Sequence, residues 1–99
     1  MHYVYILQSE KLNRYYIGYT ANITTRLEFH ENSEERKFTY NADDWELIFS
    51  LECETKTQAL AIEKHIKMMK SKTYIQNLLI YPEMAAKLRE KYKLWPSDR

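Results

Sequence analysis

The amino-acid sequence predicts an α+β domain in which a small three-stranded antiparallel sheet is flanked by helices, in the order β-β-α-β-α-α-α. Three observations support this fold class. Two short segments rich in β-branched and aromatic residues lie close together near the start of the chain, and a third follows after a polar stretch. Later segments repeat apolar residues at every third or fourth position, as amphipathic helices do. The length of 99 residues suits one domain.

The first two strands are expected to pair as a hairpin. Residues 2–7 are apolar or aromatic almost throughout, which predicts a strand buried on both faces. After a polar turn, residues 14–19 predict a second strand close enough to pair with the first. Asn22 then fits a helix N-cap, because its amide oxygen can accept from the free N–H groups of a first turn. The predicted helix runs to about His30.

The second half of the sequence predicts one more strand and three helices. Residues 31–44 are polar and predict a loop, and residues 45–51 predict the third strand. Thr55 and Gln58 fit a capping box, in which each side chain binds the other residue's free N–H group. The long helix that they begin is expected to bury Ala59, Ile62, Ile66 and Met69.

Two shorter helices are predicted to complete the chain. Residues 73–76 repeat the capping-box pattern and predict a helix that ends near Tyr81. Pro82 suits the first turn of a last helix, because its missing N–H group needs no partner there. One face of this helix is expected to carry Met84, Leu88 and Tyr92.

Composition excludes several classes of function. The 15 basic and 14 acidic residues nearly balance, so the net charge of +1 selects no class of partner. One cysteine, Cys53, excludes an internal disulfide and a cysteine-rich zinc site. One glycine, Gly18, excludes glycine-rich phosphate loops. No stretch has the pattern of an export signal or a membrane span, so we expect a cytoplasmic protein with no membrane partner.

Four sets of residues are candidates for chemistry. Arg26 and His30 lie four apart on the predicted helix, where they fit either an anion-binding pair with a proton donor or two solvated side chains. Glu63 borders the apolar face of its helix. A buried partner such as Arg26 or a bound metal would stabilise its carboxylate. Alternatively, the Glu63 side chain extends to the surface and is solvated by water.

Tyr5 and Tyr16 lie on the two strands of the predicted hairpin. A phenol can position water or act as a base, although its ordinary pKa is near 10, and most of the nine tyrosines are expected to be structural. A basic run fits either contacts to a phosphate backbone or a solvated helix face. Its lysines are Lys64, Lys67, Lys70 and Lys72.

Together, these residues resemble the GIY-YIG endonuclease superfamily. Its signature is two short strand motifs, then an Arg and often a His on the first helix, then a Glu on a later helix. Residues 3–5 (YVY) stand in place of the first motif, with Tyr instead of Gly, and residues 16–18 (YIG) match the second. Residues 61–67 resemble the segment that carries the Glu. The resemblance covers about residues 2–70 and is strongest to small stand-alone bacterial members.

The resemblance implies one domain over residues 1–99, with a helical segment at about 71–95 after the motif-bearing part. It also implies hydrolysis of phosphodiester bonds in nucleic acid, DNA in the first place, with one Mg²⁺ or Mn²⁺ ion. In that scheme Glu63 would bind the metal. Tyr5 would deprotonate or position the attacking water, with its own proton drawn off with help from His30 or a metal-bound hydroxide. Arg26 would hold the scissile phosphate, and Tyr16 would complete the hydrogen bonds to water and phosphate.

Further residues receive secondary roles from the resemblance. The four lysines of the basic run would contact flanking phosphates without reading sequence. Gly18 ends the second motif, where a missing Cβ permits a bulge or a close approach of backbone to substrate. Asn77 is the candidate for the Asn that many relatives place after the Glu. We expect cleavage selected by DNA structure or weakly by sequence, as in repair or recombination.

Partner proteins and other functions stay open at this point. A homodimer or an accessory protein that supplies specificity would suit so small a nuclease. One alternative is a non-catalytic nucleic-acid-binding module that retains the fold. Another is a protein-interaction adaptor, because residues 43–54 hold acids without a base and residues 64–72 hold bases without an acid.

Overall fold

The computed structural model describes residues 2–22 and 44–93. The described strands and helices are β1 (His2–Ser9), β2 (Arg14–Thr20), β3 (Glu46–Cys53), α1 (Lys56–Met69), α2 (Lys72–Ile80) and α3 (Pro82–Lys91). The predicted α+β class and three-stranded antiparallel sheet are confirmed. The helix predicted after Asn22, with Arg26 and His30, lies outside the described residues.

Strand β1 is the centre of the sheet, whose order is β2-β1-β3. Both of its neighbours run antiparallel to it, so that Tyr5 pairs with Gly18 on β2 and with Ser50 on β3. Successive residues of a strand point to opposite faces, yet Val4, Tyr5 and Ile6 are all 0–1% exposed. The prediction that β1 is buried on both faces is therefore confirmed.

The two faces of the sheet have different neighbours. Val4 and Ile6 share a core with the buried faces of the helices, and Ile17 on β2 packs against it. By strand alternation, Tyr5 and its cross-strand neighbours lie on the opposite face, which we call the tyrosine face. The tyrosine face comprises Tyr3, Tyr5, Leu7 and Ser9 of β1 and Arg14, Tyr16, Gly18 and Thr20 of β2.

Among the described strands, the one register shift lies between β1 and β3. Ile6 pairs with Phe49 but Leu7 pairs with Leu47, so Ile48 is an extra residue that makes a bulge in β3. The pairing of β1 with β2 is continuous from Tyr3 to Ser9. The bulge considered for Gly18 is therefore not formed in β2.

Helix α1 covers the core face of the sheet. Ala59, Ile62 and Ile66 are buried as predicted, but Met69 is 44% exposed. The prediction for Met69 was wrong because it is the last helical residue. The chain turns away at Lys70, whose φ of 48° is left-handed.

The helix caps differ in part from the predicted capping boxes. Thr55 Oγ1 accepts from the Gln58 N–H group at 3.0 Å, as expected. The Gln58 side chain does not return the bond: its Oε1 accepts from Glu54 N at 2.6 Å and its Nε2 donates to the Arg89 carbonyl at 2.9 Å. Gln58 is fully buried and ties α3 to the start of α1.

The boundaries of the last two helices were predicted within a few residues. Ser71, not Thr73, caps α2, because its Oγ accepts from Tyr74 N at 3.1 Å. Pro82 begins α3, as its fixed φ and missing N–H group predict. Ala85 and Leu88 form the buried face of α3, with Met84 and Tyr92 packed beside them.

Candidate active site

The tyrosine face brings Tyr5 and Gly18 into direct contact across the hairpin. The two residues are paired in the register of β1 and β2. A Cβ placed on Gly18 would lie 2.5 Å from both Cζ and Oη of Tyr5, which is far inside van der Waals contact. The backbone of Gly18 is in the ordinary negative-φ region. Glycine is therefore needed here for space and not for an unusual φ.

Tyr16 lies diagonally across the strands from Tyr5. Tyr16 pairs with Leu7, two positions along β1 from Tyr5. The ring centroids of the two tyrosines are 6.3 Å apart with an interplanar angle of 36°, a tilted aromatic contact. Tyr5 is 1% exposed and Tyr16 is half-buried. Two of the expected site residues are thus held together by the hairpin, with Gly18 beneath one ring.

Glu63 lies on α1 at the margin of its buried face. Its carboxylate forms a salt bridge with Lys67 one turn later, at 3.0 Å. The Glu63 side chain is 17% exposed, whereas that of Lys67 is 53% exposed. The carboxylate reaches the surface and is charge-paired, which suits either a purely structural role or a ligand that an incoming cation can displace from Lys67.

The donor set around Glu63 fits only a weakly held hard cation. Within residues 2–22 and 44–93, no three His, Cys, Asp or Glu side chains cluster as a metal cage would require. A single carboxylate oxygen suits Mg²⁺, which often keeps several of its waters and binds through one or two carboxylates plus substrate phosphate. Glu63 therefore fits such an ion, in competition with the Lys67 ammonium.

The lysines of the basic run do not form one uniform surface. Lys64 is exposed on α1, and Lys67 is paired with Glu63. Lys70 is exposed at the end of α1, where its N–H group donates to the Lys67 carbonyl. The Lys72 ammonium donates to the carbonyl of Asn13 in the β1–β2 turn, at 2.7 Å. The run thus divides between a helix face and the hairpin.

Asn77 has a structural environment in α2. It is half-buried, and its backbone carbonyl accepts from Tyr81 N at 2.8 Å, where the helix ends.

Two features of the described residues were not anticipated from the sequence. His65 Nδ1 lies 3.0 Å from the Tyr92 hydroxyl, and the His65 ring also contacts that of Tyr74. Burial, and to a lesser extent Lys91, lowers the pKa of His65, and burial raises the pKa of Tyr74. The three rings come from α1, from α2 and from the residue that follows α3, a combination that no local sequence pattern could reveal.

The second feature is a cavity of about 410 Å³ beside the end of β3. Its lining residues are Glu52, Cys53, Glu54 and Arg89. Burial raises the pKa of the Cys53 thiol to about 11, so this cysteine is a poor nucleophile at neutral pH. The cavity shares no lining residue with the tyrosine face.

Across the part of the chain that the structure describes, no helix combines the length and the apolar character needed to cross a bilayer.

Comparison with known proteins relates the chain to one domain family. The family model described as the GIY-YIG catalytic domain matches residues 1–76. That match includes the whole sheet and α1, and it ends within α2. Helix α3 lies wholly beyond the matched residues. The Gln58–Arg89 contact joins a residue inside the match to one beyond it.

Three small proteins are similar over most of their length. A UPF0213 protein of Oceanobacillus iheyensis is 34% identical over 68 residues, which are 69% of this chain and 78% of that protein. A UPF0213 protein of Natronomonas pharaonis is 32% identical over 68 residues, 69% and 79% of the two chains. The solution structure of a UPF0213 protein from Bacillus halodurans aligns with a TM-score of 0.51 and 27% identity, over 79% of this chain and 81% of that one.

Proposed function

Because this chain belongs to the GIY-YIG family of nuclease domains, among the small single-domain UPF0213 proteins, we propose that it is an endonuclease that hydrolyses phosphodiester bonds in DNA. The observation that carries the proposal is the contact of Tyr5 with Gly18 and Tyr16 on one face of the sheet. These are the positions at which the two family motifs meet in the hairpin.

The two tyrosines are proposed to hold the attacking water and the scissile phosphate. A neutral phenol both donates and accepts hydrogen bonds, so Tyr5 and Tyr16 can orient a water without ionising. The tilted contact between the two rings supports this positioning role, because each ring restricts the orientations open to the other. Orientation of the nucleophile accounts for a large share of the rate in phosphoryl-group chemistry.

Arg26 and His30 are proposed to complete the site from the helix predicted after Asn22. A guanidinium binds two phosphate oxygens at once and offsets the charge that builds up in the transition state. An imidazole at position 30 can exchange protons near neutral pH, so His30 is proposed to assist Tyr5 as the attacking water loses its proton. Both roles come from the match to the family motif.

Glu63 is proposed as the protein ligand of one Mg²⁺ or Mn²⁺ ion. Such an ion supplies neutralisation of negative charge at the phosphate. The role of Glu63 is to hold it at the margin of α1, and the nearby Lys67 ammonium is proposed to leave the carboxylate when the ion binds. Lys64 and Lys70 remain candidates for contacts to flanking phosphates.

The proposed substrate is DNA selected by structure or weakly by sequence, in a cytoplasmic repair or recombination setting. Most phosphate contacts carry no sequence information. A homodimer or an accessory protein is proposed as the source of any further specificity.

The test is a cleavage assay with purified protein. Single-stranded, nicked, flapped and branched DNA are incubated with Mg²⁺, Mn²⁺ or EDTA, and Tyr5→Phe, Arg26→Ala and Glu63→Ala are compared with Lys87→Ala, an exposed residue of α3. We expect metal-dependent cleavage that falls at least a hundredfold in the first three variants. Absence of cleavage on every substrate, or equal cleavage by all four variants, would refute the proposal.

A second candidate is a non-catalytic nucleic-acid-binding module. The 1% exposure of Tyr5 and the pairing of Glu63 with Lys67 favour it, because both groups are already engaged within the protein. Salt-dependent binding of DNA without turnover would support this candidate. Failure to bind any nucleic acid, together with self-association in light scattering, would instead favour an adaptor.

A further inference from the structure

The end of the β1–β2 hairpin lies against the start of α2. The Lys72 ammonium donates to the Asn13 carbonyl at 2.7 Å. Asn13 has a left-handed φ of 52° and directly precedes Arg14, the first residue of β2. This contact places the Lys72 ammonium at the backbone next to Arg14, which lies far from Lys72 in the sequence. The sequence alone places Lys72 in the basic run of residues 64–72 and indicates no role for Arg14.

Arg14 lies on the same face of the sheet as the two site tyrosines. It pairs with Ser9 on β1, and strand alternation puts it on the face of Tyr16 and Gly18. Two residues of a strand span about 7 Å, so the Cα of Arg14 lies about that far from the Cα of Tyr16. A guanidinium on its long side chain can therefore reach a phosphate next to one held by the tyrosines.

The charges around Arg14 leave its guanidinium unpaired within the described part of the chain. Arg14 is exposed and has no ion pair or side-chain hydrogen bond with residues 2–22 or 44–93. Asp44 lies next to Ser9, the residue paired with Arg14, but its carboxylate accepts from Ser9 Oγ at 2.7 Å and from Lys11 N at 3.0 Å. These two bonds hold the pKa of Asp44 below its usual value and direct the carboxylate to the turn.

We propose that Arg14, with Lys72 beside it, binds the nucleic-acid phosphate adjacent to the scissile one. The inference rests on the proposed function and adds the direction in which the nucleic-acid strand crosses the protein. The nucleic acid would leave the tyrosine face over the end of the β1–β2 hairpin, toward the start of α2.

The chemistry of the two side chains fits this role. The planar guanidinium of Arg14 can donate two parallel hydrogen bonds to one phosphate. Lys72 keeps two of its three ammonium hydrogens after the bond to Asn13, and adds a point charge. The Lys72 contact also fixes the turn residue next to Arg14, so Lys72 positions Arg14 as well as adding charge.

The test is binding of a labelled single-stranded oligonucleotide and of a flapped duplex in EDTA, across a salt series. The proteins are wild type, Arg14→Gln, Arg14→Lys, Lys72→Gln and the charge-matched control Lys87→Gln on α3. We expect Arg14→Gln to weaken binding about tenfold at low salt. It should lower the slope of log affinity against log salt by about 0.7–0.9, the value for one phosphate contact.

The matched variants separate binding from folding. Arg14→Lys should keep the salt slope, Lys72→Gln should lose part of it, and Lys87→Gln should bind like wild type. A melting temperature equal to that of wild type would establish that Arg14→Gln is folded. If wild type binds and Arg14→Gln matches Lys87→Gln, this inference is wrong while the proposed function stands. If wild type binds no nucleic acid in EDTA, this inference is wrong, and the metal-dependent cleavage assay decides the proposed function separately.

Discussion

The ring of Tyr5 fills the space that a side chain on Gly18 would need. The distance from an added Cβ to the Tyr5 ring end is 2.5 Å, and the two residues are paired across β1 and β2. The single glycine of the chain is thus explained by its partner. The predicted close approach occurs, but in the free protein it is to a tyrosine of the same motif pair.

Gly18→Ala is expected to destabilise the protein by about 1–3 kcal/mol, as overpacking of a buried site does. Without the clash, the opposite sign would be expected, since alanine in a strand interior is favoured over glycine by roughly 0.5–1 kcal/mol. Urea unfolding of Gly18→Ala in the wild-type and Tyr5→Leu backgrounds measures this. The cost should vanish with the shorter Leu side chain, and equal costs in both backgrounds would contradict the assignment.

Lys67→Gln is expected to strengthen metal binding at Glu63. Removal of the ammonium 3.0 Å from the carboxylate removes a competitor for the ion. Salt bridges between residues four apart in a helix contribute about 0.3–0.5 kcal/mol, so the apparent Mg²⁺ affinity should rise roughly twofold. A Mg²⁺ titration of cleavage measures it, with Lys87→Gln as control. An unchanged midpoint in Lys67→Gln would argue against Glu63 as the ligand.

Gln58→Leu is expected to lower the free energy of unfolding by about 1–3 kcal/mol. The substitution keeps the volume but leaves the Glu54 N–H group and the Arg89 carbonyl without the partner that Gln58 provides. Guanidinium unfolding measures it, against Gln76→Leu at an exposed position of α2. If both variants were equally stable, the buried amide would not be what holds α3 to the core.

His65 is expected to make the protein less stable as the pH falls below about 7. Burial and Lys91 lower the pKa of His65 in the folded protein below its ordinary value of 6.5. The unfolded chain therefore takes up this proton first, and stability declines from just above pH 6.5 down to the folded pKa. Urea unfolding at pH 7.5 and 5.5 measures the decline. His65→Phe keeps an aromatic ring and should show a smaller difference in stability between the two pH values. An unchanged difference would exclude His65 as the cause.

Local patterns were enough to predict the sheet and most helix boundaries. Runs of β-branched and aromatic residues identified the three strands, and Pro82 identified the start of α3. The partner of Gly18 could not be found this way, because it depends on the register of β1 against β2, which the turn at residues 10–13 sets. Thr73 was predicted to cap α2, but Ser71 is the cap, because the path of the chain after Lys70 starts the helix at Lys72.

The candidate site was predictable as a set of residue types and not as an arrangement. The motif residues Tyr5, Tyr16 and Glu63 follow from the resemblance, but the Glu63–Lys67 pair and the Lys72–Asn13 contact depend on side-chain positions. No sequence pattern singled out Arg14, because a basic residue at the start of a strand is common. Its possible role depends on the face of the sheet that it shares with Tyr16, which the structure shows. The Gln58 bridge to Arg89 spans the domain and has no local signature.

The strand order β2-β1-β3 has a consequence for the order of folding. Tyr5, Tyr16 and Gly18 all lie in one hairpin closed by a short turn, whereas β3 reaches β1 only after the chain between residues 9 and 46 closes on itself. Short loops close faster and at lower entropic cost. We therefore expect the tyrosine half of the site to form ahead of the rest. Kinetic φ-values should be higher for Ile17→Val than for Leu51→Ala, and the reverse order would contradict this.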